Sequence, residues 1–273
     1  MSLTRRQMLD EMGLSPQWVL RVRPKLMGDS QRAETAQPLA RHDVQAEASE
    51  TAVLPRLAPT AASAEEIVCT DNKHGAVAEV MDMDWPQLRQ TIMECHLCGL
   101  CARRKQAVPG VGDERADWLF IGEGPGAEED ARGEPFVGQA GRLLDAMLAA
   151  IDLERGKNVY IANAVKCRPP GNRTPEPSEM AACWPYLQRQ IELLQPKLIV
   201  LLGKAAVAAV LGETRSLASM RGRPLTYRQG ELEIPTLVTY HPAYLLRNLP
   251  DKAKAWEDLC RARALMRRIV NTP

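Results

Sequence analysis

Apolar and polar positions divide the chain into stretches of different character. From about residue 84 the pattern becomes regular. DWLFIG (117–122), NVYIANAV (158–165), KLIVLLG (197–203) and IPTLVTY (234–240) are short apolar runs that predict buried strands. DWPQLRQTIMEC ahead of them, and GRLLDAMLAAIDL, PSEMAACWPYLQRQIELL and KAAVAAVLG between them, carry apolar residues at helical spacing, and KAKAWEDLCRARALMRRIV closes the chain in the same way. Strands alternating with helices imply right-handed crossovers and an α/β fold whose parallel sheet is covered on both faces. Such folds hold their sites at the carboxyl ends of the strands. The informative loops should therefore follow Ile121, Val165, Leu202 and Tyr240.

Upstream the pattern is different. SLTRRQMLDEMGL predicts a short helix closed by Gly13, followed by a tryptophan and several arginines up to residue 28. Residues 29–80 are rich in Ala, Glu, Pro, Ser and Thr without a sustained period. Such a stretch buries too little apolar surface to offset its ordering entropy, and reads as a flexible linker. The expected division is a helical interaction segment at 1–28, a linker at 29–80 and a catalytic domain at 84–273.

Composition narrows the class. The 273 residues are 45% hydrophobic and 25% charged, as in an ordinary soluble globular protein. A net charge of +1 supplies no global basic field, so any nucleic-acid contact must use a local patch. No apolar run has the length of a membrane span, and MSLTRRQMLDEMG lacks the apolar core of a secretory signal. A cytoplasmic protein without membrane contact is expected. Structural disulfides are rare there, so the odd count of seven cysteines leans towards metal or redox work.

Three of those cysteines crowd into CHLCGLC (95–101), which by itself allows zinc, redox chemistry or disulfides. A zinc ribbon wants a second C-x-x-C. The chain offers instead the distant Cys167 and Cys183. Two close and two distant thiolates make four soft ligands, a set suited to a [4Fe–4S] cluster.

Three strand-end loops carry unusual residues. GEGPGAEEDARGEPFVGQAG (122–141) begins like a dinucleotide fingerprint. That motif needs a helix starting at once, however, and Pro125, the acids and the Gly133–Gly138 stretch are expected to delay the helix by more than ten residues. NAVKCRPPGNR places Asn163 at a strand end in a stiff loop made basic by Lys166, Arg168 and Arg173. HPAYLLRN puts His241 at another strand end, followed by an apolar-basic turn.

Together these three loops resemble the motifs of the family 4 uracil-DNA glycosylases, the iron–sulfur branch of that superfamily, in order and spacing. The likeness runs from about Cys95 through the last helix. It implies a three-layer α/β/α domain with a four-stranded parallel sheet, hydrolysis of the uracil N-glycosidic bond in DNA at the start of base excision repair, and a [4Fe–4S] cluster on Cys95, Cys98, Cys167 and Cys183, with Cys101 as the spare. A monomeric domain is expected. The resemblance also assigns roles. Phe136 stacks on a flipped uracil, with Gly124 beside it. Asn163 reads the base edge, for which an amide offers one donor and one acceptor. His241 faces the O2 atom where negative charge develops. Glu123 and Glu129 are the two candidates for orienting the water. Arg168, Arg173 and Arg247 suit phosphates, and Tyr244, Leu245 and Leu246 suit the gap that the flipped base leaves.

The first 28 residues separately resemble the N-terminal segment of the psi subunit of bacterial DNA polymerase III, through Arg5, Arg6, Leu9, Gly13, Leu14, Gln17, Trp18, Leu20, Arg21 and Pro24. This likeness implies a contact with the clamp loader. A competing reading follows from it: a replisome accessory protein whose glycosylase-like domain only binds DNA.

Overall fold

The computed structural model describes residues 79–271. The segment expected at 1–28 and nearly all of the linker expected at 29–80 lie outside the described residues.

Helix α1 (Trp85–Met93) opens on a capping box. Asp84 accepts from the Gln87 amide at 3.0 Å, and Gln87 Oε1 accepts from the Asp84 amide at 3.1 Å. A 3-10 turn, Gly99–Arg103, follows. The chain then forms β1 (Val111–Gly112), β2 (Trp118–Gly122), α2 (Ala127–Arg132), α3 (Gln139–Ala149) and β3 (Val159–Asn163). Next come α4 (Pro177–Leu194), β4 (Leu198–Leu202), α5 (Lys204–Leu211) and α6 (Leu217–Met220). The hairpin β5 (Leu225–Gln229) and β6 (Leu232–Thr239), the short α7 (Pro242–Leu245) and the long α8 (Lys252–Asn271) complete the domain.

The sheet order is β1-β3-β2-β4-β6-β5. The four expected strands form a parallel core, with Phe120 opposite Ile161 on one side and Val200 on the other. The sheet has six strands, not four, because β1 and β5 add antiparallel edges. Both additions are hard to see in sequence. β1 has two residues, and β5 buries only Tyr227 among LTYRQ.

Alternation along each strand sorts its side chains into two layers. Trp118, Phe120, Ile161 and Val200 face α3 and α8, where Leu144, Met147, Trp256 and Leu259 meet them. Leu119, Ile121, Ile199 and Leu201 face α4 and α5, against Leu187, Ile191, Val207 and Val210. A third cluster joins α1 to α4 through Leu88, Ile92, Val165 and Tyr186, together with Cys167 and Cys183.

One local expectation fails. A helix does begin directly after the first glycine motif. Glu128, Glu129 and Asp130 stand in the first turn of α2, where acids complement the helix dipole. Gly133, at φ 77°, stops the helix after six residues, and the crossover helix α3 begins only at Gln139.

Candidate active site

The carboxyl ends of β2, β3, β4 and β6 open onto a cleft of about 610 Å³. Three of these strands deliver a site residue named above, and β4 contributes Gly203 and Lys204. Glu123 and Gly124 follow β2, Asn163 ends β3, and Tyr240 and His241 follow β6. Phe136, Arg173, Tyr244 and Arg247 complete the walls with Glu129.

Asn163 is 2% exposed, and its Oδ1 has no hydrogen-bond partner among the described residues. A buried acceptor without a partner is costly and rare, so its position marks a site built for an outside donor. Its main chain is held from below. Lys166 Nζ donates to the Asn163 carbonyl at 2.9 Å and to Gln190 Oε1 at 2.7 Å. Lys166 was expected to add charge to the loop surface. It is instead fully buried, and burial lowers its pKa to about 8. Its place between the end of an apolar strand and a buried cysteine is the one sequence signal for that.

Phe136 is buried and adopts φ 56°. A bulky residue in the left-handed region persists only where its surroundings over-determine it. The packing beside it is tight, since a Cβ on Gly141 would lie 1.8 Å from the Phe136 carbonyl oxygen. The ring reaches the cleft wall 5.4 Å from the His241 imidazole, centroid to centroid.

His241 Nδ1 accepts from the Ala243 amide at 3.1 Å, which caps α7. Burial, and then Arg247, lower its pKa to about 4, with Glu129 opposing. The ring is therefore neutral at pH 7 and carries its proton on Nε2.

The two candidate glutamates differ. Glu129 Oε1 accepts from the amides of Val137 (3.0 Å) and Gly138 (3.1 Å), while its Oε2 accepts from the amide of Gly126 (3.1 Å). Both oxygens are thus engaged in shaping the loop: one holds the Gly126 amide at the start of α2, the other the Val137 and Gly138 amides just ahead of α3. Glu123 makes no such set of bonds. Burial raises its pKa, with Thr174 opposing.

A model of the uracil DNA glycosylase superfamily matches residues 109–260. The type-4 uracil-DNA glycosylase of Sulfurisphaera tokodaii is 44% identical over 177 residues, 63% of this chain and 80% of that protein. The type-4 enzyme of Thermotoga maritima is 41% identical, over 66% of this chain and 93% of its own length. That of Archaeoglobus fulgidus is 43% identical over 57% and 79%. The chain belongs to the uracil-DNA glycosylase superfamily, with the type-4 enzymes.

In this glycosylase one of the expected DNA contacts needs correction. Leu245 is fully buried in the core layer below α7, so it is unable to probe DNA. The exposed apolar side chains of the turn are Leu246, at 40%, and Leu249, at 60%, and the sequence reading passed over the second. Arg173 forms a two-pronged pair with Glu179, at 2.8 and 2.6 Å. Arg168 Nε donates to Asn172 Oδ1 at 2.7 Å, and Arg247 is exposed. Tyr244 stacks on Tyr240 at 5.1 Å and donates its hydroxyl to Asp251 at 2.7 Å.

The glycosylase brings its clustered cysteines into one region. Cys167 and Cys183 are buried in the α1–α4 cluster, and Cys95 and Cys98 pack against it. Three donors point at sulfur: the Leu97 amide at Cys95 (3.5 Å), the Lys166 amide at Cys183 (3.2 Å) and Arg104 Nη1 at Cys167 (3.0 Å). Burial raises the thiols of Cys98 and Cys167 and pushes Cys183 up to about 12. Among the described residues no three His, Cys, Asp or Glu side chains are grouped to hold a metal ion as they stand. The donor set itself, four sulfurs with amide and guanidinium donors around them, fits an iron–sulfur group better than a carboxylate-loving ion. No helix among the described residues is long and apolar enough to cross a membrane.

Proposed function

We propose that this glycosylase hydrolyses the N-glycosidic bond of uracil in DNA, with Phe136, Asn163, His241 and Glu123 as its working residues. The observation that carries the assignment of roles is the buried, unpartnered Asn163 Oδ1 beside Phe136. A base inside a duplex must first be turned out of the stack. The exposed Leu246 and Leu249 suit the vacated space, and Arg247 and Arg168 suit flanking phosphates. The flipped uracil stacks on Phe136. Asn163 Oδ1 accepts from uracil N3–H, and its amide nitrogen donates to O4; cytosine, with no N3–H and a donor at C4, mismatches both.

Bond cleavage leaves a cationic sugar and negative charge on uracil O2. His241 Nε2–H, already neutral and fixed through Nδ1, donates to that oxygen without prior deprotonation or reorientation. Glu123 holds the attacking water and, when ionised, favours the cationic sugar. Glu129 keeps the loop in shape. The task once open between the two acids thus falls to Glu123 in this proposal.

Cys95, Cys98, Cys167 and Cys183 would hold the [4Fe–4S] cluster, and Cys101, next to them in the 3-10 turn, would remain outside the ligand set. When bound, the cluster supplies a cross-link between four sulfurs, and hydrolysis requires no electron from it. Through Lys166, whose amide meets Cys183 and whose ammonium meets the Asn163 carbonyl, the cysteine region bears on the base-reading residue.

The superfamily match covers none of residues 1–108, so a clamp-loader contact by residues 1–28 rests on the residue pattern alone. A peptide of residues 1–28 should capture clamp-loader subunits and Trp18→Ala should abolish capture; absence of binding by the unaltered peptide removes this role. Uracil release from a single-uracil oligonucleotide, compared between the unaltered protein and Asn163→Ala, tests the enzyme. Equal release by the two would overturn the assignment of Asn163.

A further inference from the structure

The strained platform at Phe136 has a second support, which lies outside the cleft. Arg155 stands in the turn between α3 and β3. Its Nη1 donates to the Pro135 carbonyl at 2.8 Å and its Nη2 to the Phe136 carbonyl at 2.8 Å. Asp145, on α3, braces the guanidinium in turn: Nε and Nη2 both donate to its Oδ1, at 3.0 and 2.8 Å. Two consecutive carbonyls are thus gripped by one planar fork, which lysine is unable to imitate.

The 136–137 peptide is also gripped at its N–H end, together with the 137–138 peptide that follows. Glu129 accepts from the amides of Val137 and Gly138. Residues 135–138 therefore have their backbone held by a cation on the carbonyls and an anion on the amides. Phe136, at φ 56°, sits between the two grips. Gly141 on α3 has no side chain, and this lets the Phe136 carbonyl pack where a Cβ would lie 1.8 Å from its oxygen.

We infer that Arg155 is a positioning residue for base stacking: through the Pro135 and Phe136 carbonyls it holds Phe136 in its left-handed conformation, with Asp145 orienting the guanidinium. Arg155 touches no substrate. Its effect reaches the chemistry only through the Phe136 ring. The inference rests on the uracil-stacking role proposed above for Phe136.

A double-mutant cycle on the full-length protein tests it. Single-turnover uracil excision is measured for the unaltered protein, Arg155→Met, Phe136→Ala and the double variant, with inhibition by free uracil and affinity for an abasic duplex as companion readouts. Arg155→Met is expected to lower the excision rate by about 10- to 100-fold, the scale of a small misplacement of a reacting partner. Inhibition by free uracil should weaken by about 10-fold, while affinity for the abasic duplex, which presents no base to stack, stays unchanged. In the Phe136→Ala background the Arg155 change should cost nothing further. Arg155→Lys keeps the charge beside Asp145 but not the fork, and should show a smaller loss with the same coupling, which also serves if the Met variant folds poorly. Losses that add in full in both backgrounds, or an unchanged rate in Arg155→Met, would overturn the inference. An unaltered protein that releases no uracil would instead remove the glycosylase reading beneath it.

Discussion

Phe136 and Asn163 meet over Gly122. A Cβ built on Gly122 would lie 2.5 Å from both Asn163 Oδ1 and Phe136 Cζ. The last residue of β2 must therefore lack a side chain for the stacking ring and the reading amide to stand this close.

Gly122→Ala should displace one or both side chains. Since a shift of about 1 Å at a reacting centre can cost about 100-fold, kcat/KM for uracil excision should fall by that order. Single-turnover kinetics check this. A variant with unaltered kcat/KM would mean that the two residues do not act on one base.

Asn163→Ala removes an acceptor that satisfies nothing within the described protein. Excision should fall by about 10- to 100-fold, as a buried hydrogen bond to the substrate is lost. The melting temperature should move by less than about 3 °C, because no internal bond to Oδ1 disappears. Calorimetry and rate measured on one preparation separate the two effects.

The pH behaviour has a definite sign. His241 is held neutral down to about 4 against an ordinary value of 6.5. The unfolded chain binds its proton more readily, so the contribution of this residue to stability is fully present above about 6.5 and is lost as pH falls towards 4. An NMR titration of the ring should show a midpoint near 4, with the neutral form protonated on Nε2. Burial raises the carboxyl of Glu123, so excision should decline on the acid side as that group takes its proton, and Glu123→Gln should flatten this limb at a lower rate. A His241 midpoint near 6.5 would contradict the buried geometry.

Cys98→Ser and Cys101→Ser should part company. The first removes a proposed ligand and should abolish the visible absorbance of anaerobically purified protein. The second should preserve it. Equal bleaching by both would require a different ligand set.

The four parallel strands and their covering helices were legible because each is an apolar run of ordinary length with turn residues around it. Helix α4 begins and ends where its sequence suggests, between Pro177 and Leu194. The edges were not legible, since β5 has one face in solvent and β1 is two residues long. At the site, strand-end position and residue type pointed to Asn163, His241, Phe136 and Glu123. What sequence could not separate depends on direction and distant partners. Leu245 and Leu246 are neighbours, and only helical phase buries one and exposes the other. Glu129 reads as a second candidate for orienting the water until the amides of Val137 and Gly138, eight and nine residues away, fold back onto it. Lys166 reads as a surface charge, yet Gln190 of α4 and the Asn163 carbonyl make it an internal tie.

The most direct measurement is the release of free base from a duplex oligonucleotide containing a single uracil, by the anaerobically purified 273-residue chain. Free uracil and an alkali-labile abasic site should appear, with no release from the matching thymine duplex. Absence of free uracil under these conditions would contradict the account.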